Sequence, residues 1–441
     1  MTASTTTNTA TNTATNTATT AERVAELLQF ARTHSPFYRD FYAAVPADET
    51  RLEAYPVLDH KAFWAANTVR DNRVFTTPLT EGITFKSGGT SGQPKYSVFT
   101  HADWRAFTSV FGQGMRRSGL RAGEHIGNLF YAGKLYASFM FSARCIEAAG
   151  VGICYPIGGD DADEILATWR QFGLTTLAGV PTTLMSLLEK LTPADRQTLQ
   201  LETFLFAGEP MFPDQIAALR QVFPGCQVRS FGVAGVDYGE MGWVPPGAAL
   251  GEHCVFDEST VLEILEDNSD EPIDGIGQPG RLVLTNLNRR LVPIIRYPVG
   301  DRGEWLDPVG TPDRRFRLLG RTEEGARVGP MTLYVDDILA MLAGLHSAGA
   351  NFGVQSFQLC VDHIDRNDRL TLRLAVAAPQ ERTEADSTRV REALYAERHM
   401  FPGLVADGVV HPLVVEWIAP SALHTNPRTG KLLRVVDRRH G

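Results

Sequence analysis

The stretch Thr84-Phe85-Lys86-Ser87-Gly88-Gly89-Thr90-Ser91-Gly92-Gln93-Pro94-Lys95 packs hydroxyls, glycines and a lysine into one short segment. These are the residue types from which a polyphosphate cradle is built. Glycines let backbone N–H groups turn inward as a concave nest for anions, Ser87, Thr90 and Ser91 add hydroxyl donors, and Lys95 supplies a mobile positive charge. The same composition also suits a plain surface loop between two strands. The order is not that of a Walker loop, because Pro94 falls where a Gly-Lys-Ser/Thr ending would need a helix to begin. An ordinary P-loop NTPase is therefore disfavoured.

Outward from this loop, short apolar strands alternate with helical patterns. Residues 124–130 read as a strand, 135–149 as a helix, 150–156 as a strand and 161–172 as a helix again. This alternation predicts crossover units and largely parallel sheets, hence an α/β fold. After Pro279 strands follow one another closely, including 281–286 and 315–319. A boundary near Gly320-Arg321 leaves about 120 residues, a common size for a compact domain. Its strand, helix and strand runs (356–362, 370–377, 387–398 and 413–418) suit a small mobile α+β lid. Upstream, Val24, Leu27, Leu28 and Ala31 recur at helical spacing, so ordered chain is expected from Ala21-Glu22. Residues 2–20 contain only Thr, Asn, Ala and Ser and bury too little to offset ordering, so they are expected to form a disordered tail. The organisation expected is a tail over 1–20, a large domain over 21–320 and a lid over 321–441.

The chain is long enough, at 441 residues, for two or three domains with sizeable cores. Its 51 acidic against 42 basic residues give a net charge of −9, which argues against a broad nucleic-acid-binding surface. Five cysteines, at 145, 154, 226, 254 and 360, are odd in number and lack Cys-x-x-Cys pairing, which disfavours a disulfide framework and suits a reducing cytoplasm. No apolar run approaches the roughly 20 residues needed to cross a bilayer. The tail has neither the basic start and apolar centre of a secretory signal nor the arginines of a transit peptide. Neither nucleic acid nor membrane is expected as a partner, and a homodimer stays open.

Ser87 to Lys95 follow, position for position, the phosphate loop of the acyl-adenylate-forming (AMP-binding) superfamily, and residues 96–104 resemble the strand, turn and helix start of its phenylacetate-CoA ligase-like branch. Five more regions resemble the family's signatures in the family's order. Leu205-Phe206-Ala207-Gly208-Glu209-Pro210 is similar to the segment that lines the adenine and acyl pockets. Ser230-Phe231-Gly232-Val233-Ala234-Gly235-Val236-Asp237 occupies the place of a Tyr-Gly-x-Ser/Thr-Glu motif, whose aromatic flanks adenine; Gly235 stands where the family places a glutamate near magnesium. Asp237 or Glu240 is a candidate replacement, as is a shell made mostly of water. Residues 294–303 match the family's Gly-Asp core, making Asp301 the candidate for both ribose hydroxyls; alone, it reads equally as an aspartate satisfying its own turn. Residues 318–325 resemble the interdomain hinge, with Arg321 toward ribose or phosphate and Glu323 at the pivot. Residues 426–439 resemble the lysine-bearing tail, although one residue shorter between Arg428 and Gly430, and Lys431 is the candidate catalytic cation. A lysine on a Pro/Gly loop can bridge an acyl carboxylate and the α-phosphate, offsetting the repulsion of two anions. Without the motif order, the same tail reads as a solvated basic C-terminus.

The resemblance implies a large adenylate-forming domain with a small lid that binds ATP with Mg2+ and a small-molecule carboxylic acid. Lys431 would promote attack on the α-phosphate, pyrophosphate would leave, and rotation at Glu323 would admit a thiol acceptor. CoA is the acceptor implied, but Gly325-Ala326-Arg327-Val328-Gly329-Pro330 departs from the family's thiol tunnel, since Pro330 stiffens the backbone and donates no hydrogen bond. An acyl carrier protein or a nitrogen nucleophile therefore stays open, as in a stand-alone adenylating enzyme of specialised biosynthesis. Tyr131, Tyr136, Phe139, Phe206, Phe231 and Val233 suit a flat pocket for an aryl or heteroaryl acid, with Lys134 available to a polar substituent; such aromatics also serve simply as core. His253-Cys254 is a conceivable metal pair, but no Cys/His quartet has structural-zinc spacing, and His253 is read as a pocket or core histidine. Gly235 keeps a third reading open, a noncatalytic nucleotide or adenylate binding protein.

Overall fold

A computed structural model of the chain describes residues 19–87, 95–208, 211, 213–266, 269–321, 325–328, 331–364, 367–406, 408, 410–425 and 432–438. The expected tail lies outside these residues up to position 18. Thr19 and Glu22 form a reciprocal capping box that starts the helix Thr20–His34, which buries Val24, Leu27, Leu28 and Ala31 on one face. That face joins Tyr38, Tyr42, Tyr55 and Phe63 in a core shared with Ile264, Leu284, Ile295 and Tyr297.

Five strands, in the order Ile153–Pro156, His125–Asn128, Thr176–Gly179, Thr203–Phe206 and Gln227–Ser230, make an all-parallel sheet. Leu177, Phe204 and Phe206 turn to one face, against Ile165, Trp169, Leu184 and Leu219 of the covering helices. Ile126, Ala178 and Leu205 turn to the other, against Phe111, Met115, Cys145 and Ile146. Helices on both faces explain why the inner strands Thr176–Gly179 and Thr203–Phe206 are buried at every position instead of alternately. Each fully buried Leu or Phe of this kind contributes about 1.5–3 kcal/mol. The chain leaves His125–Asn128 for a neighbour on one side and then returns to the other, which makes these carboxyl ends a topological switch point, the place where open α/β sheets form a crevice.

Among the described residues before 320, parallel pairing between strands is confined to that sheet, apart from an isolated parallel bridge between Ile276 and Trp305. The seven strands Thr260–Leu265, Gly280–Asn286, Ile294–Trp305, Arg315–Arg321, Glu252–Val255, Gly239–Trp243 and Val233–Gly235, in this spatial order, pair antiparallel throughout. A separate hairpin joins Ile83–Ser87 to Lys95–Phe99. Beyond residue 325, four strands (Val414–Ile418, Asn367–Ala375, Ser356–Ile364 and Val435–Asp437) form a mixed sheet. With the helices Val335–Ser347 and Glu384–Glu397 it surrounds a core of its own, including Leu333, Ile338, Leu359, Leu372, Val390 and Phe401. All five cysteines carry free thiols; four are buried, Cys154 is partly so, and burial pushes the thiols of Cys154, Cys226 and Cys254 up to about 11. Among the described residues no helix is long and apolar enough to cross a membrane.

Candidate functional site

The hairpin register ends on the pair Ser87↔Lys95, so the candidate phosphate loop closes from two paired strand ends. Gly88, Gly89, Thr90, Ser91 and Gly92 lie outside the described residues, as does the side chain of Ser87. The hairpin is fixed from below by Phe85, Phe99, Trp104 and Phe107. Trp104 and Phe107 belong to the helix His101–Arg117, which starts at a Thr100/Asp103 capping box. Arg289 is a buried tie that the motifs do not announce. Its guanidinium stands 4.2 Å from the Phe99 ring centroid and donates to the carbonyls of Val98 (3.1 Å), Val236 (3.2 Å) and Asp237 (2.8 Å), binding the hairpin to the turn at 236–238. Burial pulls its proton affinity down, against the pull of Asp103, Asp237 and Glu240.

Lys95 reaches back to the helix His60–Ala66. Its Nζ lies 3.0 Å from His60 Nε2 and 5.4 Å from the centroid of the Trp64 ring. The Tyr297 hydroxyl lies 3.0 Å from the same His60 Nε2 and accepts from Trp64 Nε1 at 3.1 Å. Burial raises the Tyr297 hydroxyl well above its usual value, so it stays protonated. No motif contains His60 or Trp64, and Tyr297, although inside the 294–303 motif, shows no role by sequence because its partners lie 237 and 233 residues away.

At the crevice, Gly208 follows its strand at φ +81, a left-handed turn that a glycine takes without strain, while Glu209 and Pro210 lie outside the described residues. Ser230 closes a hydrogen-bond chain. Gly251 O accepts from His253 Nδ1 (2.9 Å), which leaves Nε2 to accept from Ser230 Oγ (3.3 Å), whose oxygen accepts from the Gly232 amide (3.1 Å). His253 is buried and its proton affinity is lowered to about 4, first by desolvation, so the imidazole is neutral and both of its nitrogens are engaged. Phe231 stacks on Phe111 (5.7 Å) and meets Phe130 edge-on (5.5 Å), with 6% of its surface exposed. Phe206 lies in the core beneath the crevice, and Val233 is half-buried at the start of the next strand.

A Cβ on Gly235 would stand 2.5 Å from the Tyr238 ring, so that ring occupies the space a glutamate would need. Asp237, in the adjoining turn, accepts from Ser97 Oγ (3.1 Å) on the strand that leaves the phosphate loop. Glu240 is 1% exposed, accepts from Asn286 Nδ2 (3.1 Å), and has its carboxyl raised to about 6 by desolvation. Among the described residues no cluster of three or more His, Cys, Asp or Glu could hold a metal ion.

Asp301 pairs directly with Arg321 across the antiparallel strands, and Gly300 before it sits at φ +82. The side chain of Arg321 is outside the described residues, as is Glu323. Arg296, in the same motif, is structural: it is buried and bonds Glu263 through Nε (3.1 Å) and Nη2 (2.9 Å). Tyr131 and Tyr136 meet edge to face at 5.7 Å, with Lys134 Nζ 5.8 Å from the first ring and Lys86 Nζ 5.1 Å from the second. Lys134 and Leu135 both take left-handed φ (+51 and +66), and Leu135 O accepts from the Lys86 amide (2.7 Å), so this loop lies against the phosphate hairpin.

Lys431 lies outside the described residues, but both arms that lead to it are held. Thr425 bridges Leu432, and the Leu433 amide donates to His424 O (3.1 Å). The buried amide of Gln358 donates to His424 O and Leu433 O and accepts from the His424 amide (3.2 Å) and from Arg373 Nη1 (3.1 Å), so three of its four hydrogen bonds hold the base of this hairpin. Together the described parts offer a paired hairpin base with a lysine at the end of its second arm, a topological switch point at the carboxyl ends of parallel strands, and a strand-borne aspartate suited to a diol.

The AMP-binding enzyme family model matches residues 83–234 of this chain. The phenylacetate-coenzyme A ligase of Thermus thermophilus is 25% identical over 438 residues, covering 94% of each chain, and that of Aromatoleum evansii is 23% identical over 431 residues, covering 93% of this chain and 92% of the relative. Among solved structures, a 2-hydroxyisobutyryl-CoA ligase in the postadenylation state superposes with a TM-score of 0.73 at 19% identity, over 95% of this chain and 89% of that one. An acyl acid amido synthetase, GH3.15, gives a TM-score of 0.67 at 15% identity over 94% and 90% of the two chains.

Proposed function

We propose that the chain, which is similar to AMP-binding enzymes over residues 83–234 and to phenylacetate-coenzyme A ligases over most of its length, is a member of the adenylate-forming superfamily that activates a carboxylic acid with ATP as an acyl-adenylate, releases pyrophosphate, and transfers the acyl group to the thiol of CoA. The observation that carries this is the hairpin 83–99, which closes on Ser87 and Lys95 and is tied through Arg289 to the turn bearing Asp237. The acid is an aryl or heteroaryl acid, a reading supported by the Tyr131–Tyr136 pair and its two flanking lysines. In this reading Asp301 holds the ribose and Arg321 a ribose or phosphate oxygen. Gly208, Glu209, Pro210, Ser230, Phe231 and Gly232 line the nucleotide, and Lys431 stabilises the charge developing between carboxylate and α-phosphate. The domains 21–320 and 321–441 turn about Glu323 between the half-reactions.

Asp237 suits magnesium better than Glu240, whose burial would require a desolvated carboxylate to leave Asn286 before it could reach a phosphate. Mg2+ bound there would neutralise phosphate charge; it keeps much of its water shell, so one carboxylate suffices. CoA is favoured over a carrier protein or a nitrogen nucleophile because the relatives are named as CoA ligases along nearly their whole length. The noncatalytic reading loses its motive, since Tyr238 fills the place of the missing glutamate while Asp237 stands beside it. The free thiols suit a cytoplasmic setting.

The test is ATP–pyrophosphate exchange over a panel of aryl, heteroaryl and aliphatic acids, followed by product mass with CoA and with competing acceptors. Exchange driven by one class of acid, and a thioester product, are expected; nucleotide binding without any acid-dependent exchange would leave only a binding protein. Lys431→Ala should abolish adenylate formation yet keep most thiol transfer from supplied adenylate. Equal loss of both would remove Lys431 from the first step.

A further inference from the structure

Lysine is a long, flexible side chain, and the one that ends the phosphate loop is not left to its own rotamers. Lys95 Nζ is 3.0 Å from His60 Nε2 and packs over the Trp64 ring. We infer that His60 is a positioning residue for Lys95, setting where its ammonium stands when a nucleotide polyphosphate arrives; this rests on the reading above that residues 87–95 grip ATP.

The chemistry of the contact fits that role. An ammonium only donates, so His60 Nε2 accepts and the ring proton lies on Nδ1. The imidazole is then neutral, and it orients the cation without cancelling its charge, as a carboxylate would. Tyr297 completes the arrangement. Its oxygen accepts from Trp64 Nε1, which leaves its own proton to point at the same His60 Nε2, 3.0 Å away. One lone pair thus serves two donors, and Lys95 can swing toward a phosphate oxygen without stranding it, because the Tyr297 hydroxyl remains. Trp64 and Tyr297 hold the ring, His60 holds the lysine, and the ordering of the stem is done before the ligand binds. Tyr297 also lies four residues before the ribose candidate Asp301 on one strand, so the same cluster ties the phosphate and ribose ends of the site together.

The experiment is calorimetric titration of Mg-ATP, with no acid present, into the parent, His60→Ala, His60→Gln, Lys95→Ala and the double variant His60→Ala/Lys95→Ala, alongside the melting midpoint of each without nucleotide. His60→Ala should weaken ATP by about tenfold with little change in midpoint. His60→Gln, whose amide oxygen accepts from an ammonium, should recover most of that loss, and the double variant should bind no worse than Lys95→Ala alone. Parent-like binding by His60→Ala, additive losses in the double variant, or a fall in midpoint that tracks the affinity without rescue by Gln would each overturn the inference while leaving the phosphate loop in place. Parent-like binding by Lys95→Ala would instead overturn it together with the assignment of Lys95, and a parent indifferent to ATP would take the proposed function with it.

Discussion

Glu240 and His253 lie buried on adjacent strands and answer to protons in opposite senses. His253 is lowered to about 4 from the 6.5 of an unfolded chain, so between those values the unfolded state binds the extra proton and stability falls as pH falls. Glu240 is raised to about 6 from 4.5, so between those values the folded state holds the extra proton and stability falls as pH rises. From pH 4.5 to 6 the two offset each other. Glu240→Gln removes one of them, and its stability relative to the parent should improve by about 2 kcal/mol between pH 4 and pH 7. Urea midpoints across that range measure it, and a difference flat in pH would contradict the assignment. Arg296 is the other charged residue on which much depends, since it is buried against Glu263, whose own carboxyl burial raises. Arg296→Met strands that carboxylate and should destabilise the fold by about 3–5 kcal/mol; adding Glu263→Gln should return part of it.

The turn after the last parallel strand depends on Gly232, at φ +119, where a Cβ would meet Phe111 Cζ at 2.6 Å and Gly242 O at 2.9 Å. Gly232→Ala should therefore lower the denaturation midpoint and nucleotide affinity together, because neither ring nor backbone has room to yield. The hairpin leading to Lys431 offers a milder case. Gln358→Leu takes the side-chain partner from the part-buried His424 amide and Leu433 carbonyl, at about 1 kcal/mol, and should slow adenylate formation more than thiol transfer; equal slowing would count against it. Elements of this kind were partly legible in advance. Apolar periodicity locates the strand Gly280–Asn286 and the helix Glu384–Glu397 within a few residues. The helix expected from 135 starts at Ser138, because Lys134 and Leu135 adopt left-handed conformations that side-chain patterning does not report. The candidate phosphate loop and Asp301 could be singled out in advance because residue type alone suggests their chemistry. Arg289 and His60 were not, because each acts through partners that only folding brings near: Val98 lies 191 residues from Arg289, and Tyr297 lies 237 from His60.

For the molecule as a whole, alternating strands and helices indicated the parallel sheet, but not the seven-stranded antiparallel one, whose spatial order depends on pairings between distant segments. A nonhydrolysable acyl-adenylate analogue that touches both proposed domains should stabilise the folded state by RT ln(1 + [L]/Kd), about 4 kcal/mol at a thousandfold excess over Kd, and protect the segment near 321–325 from protease. Unchanged cleavage at saturation would argue against closure about Glu323. The buried cysteines bear on the chemistry itself. A mixed anhydride acylates any thiolate within reach, and an enzyme that makes one in order to hand it to a sulfur nucleophile risks capture by its own sulfur. Here the chain's thiols are sequestered and, where burial pushes them up to about 11, almost wholly protonated at neutral pH. The incoming cosubstrate is then the one competent trap, and self-inactivation during turnover should be slow.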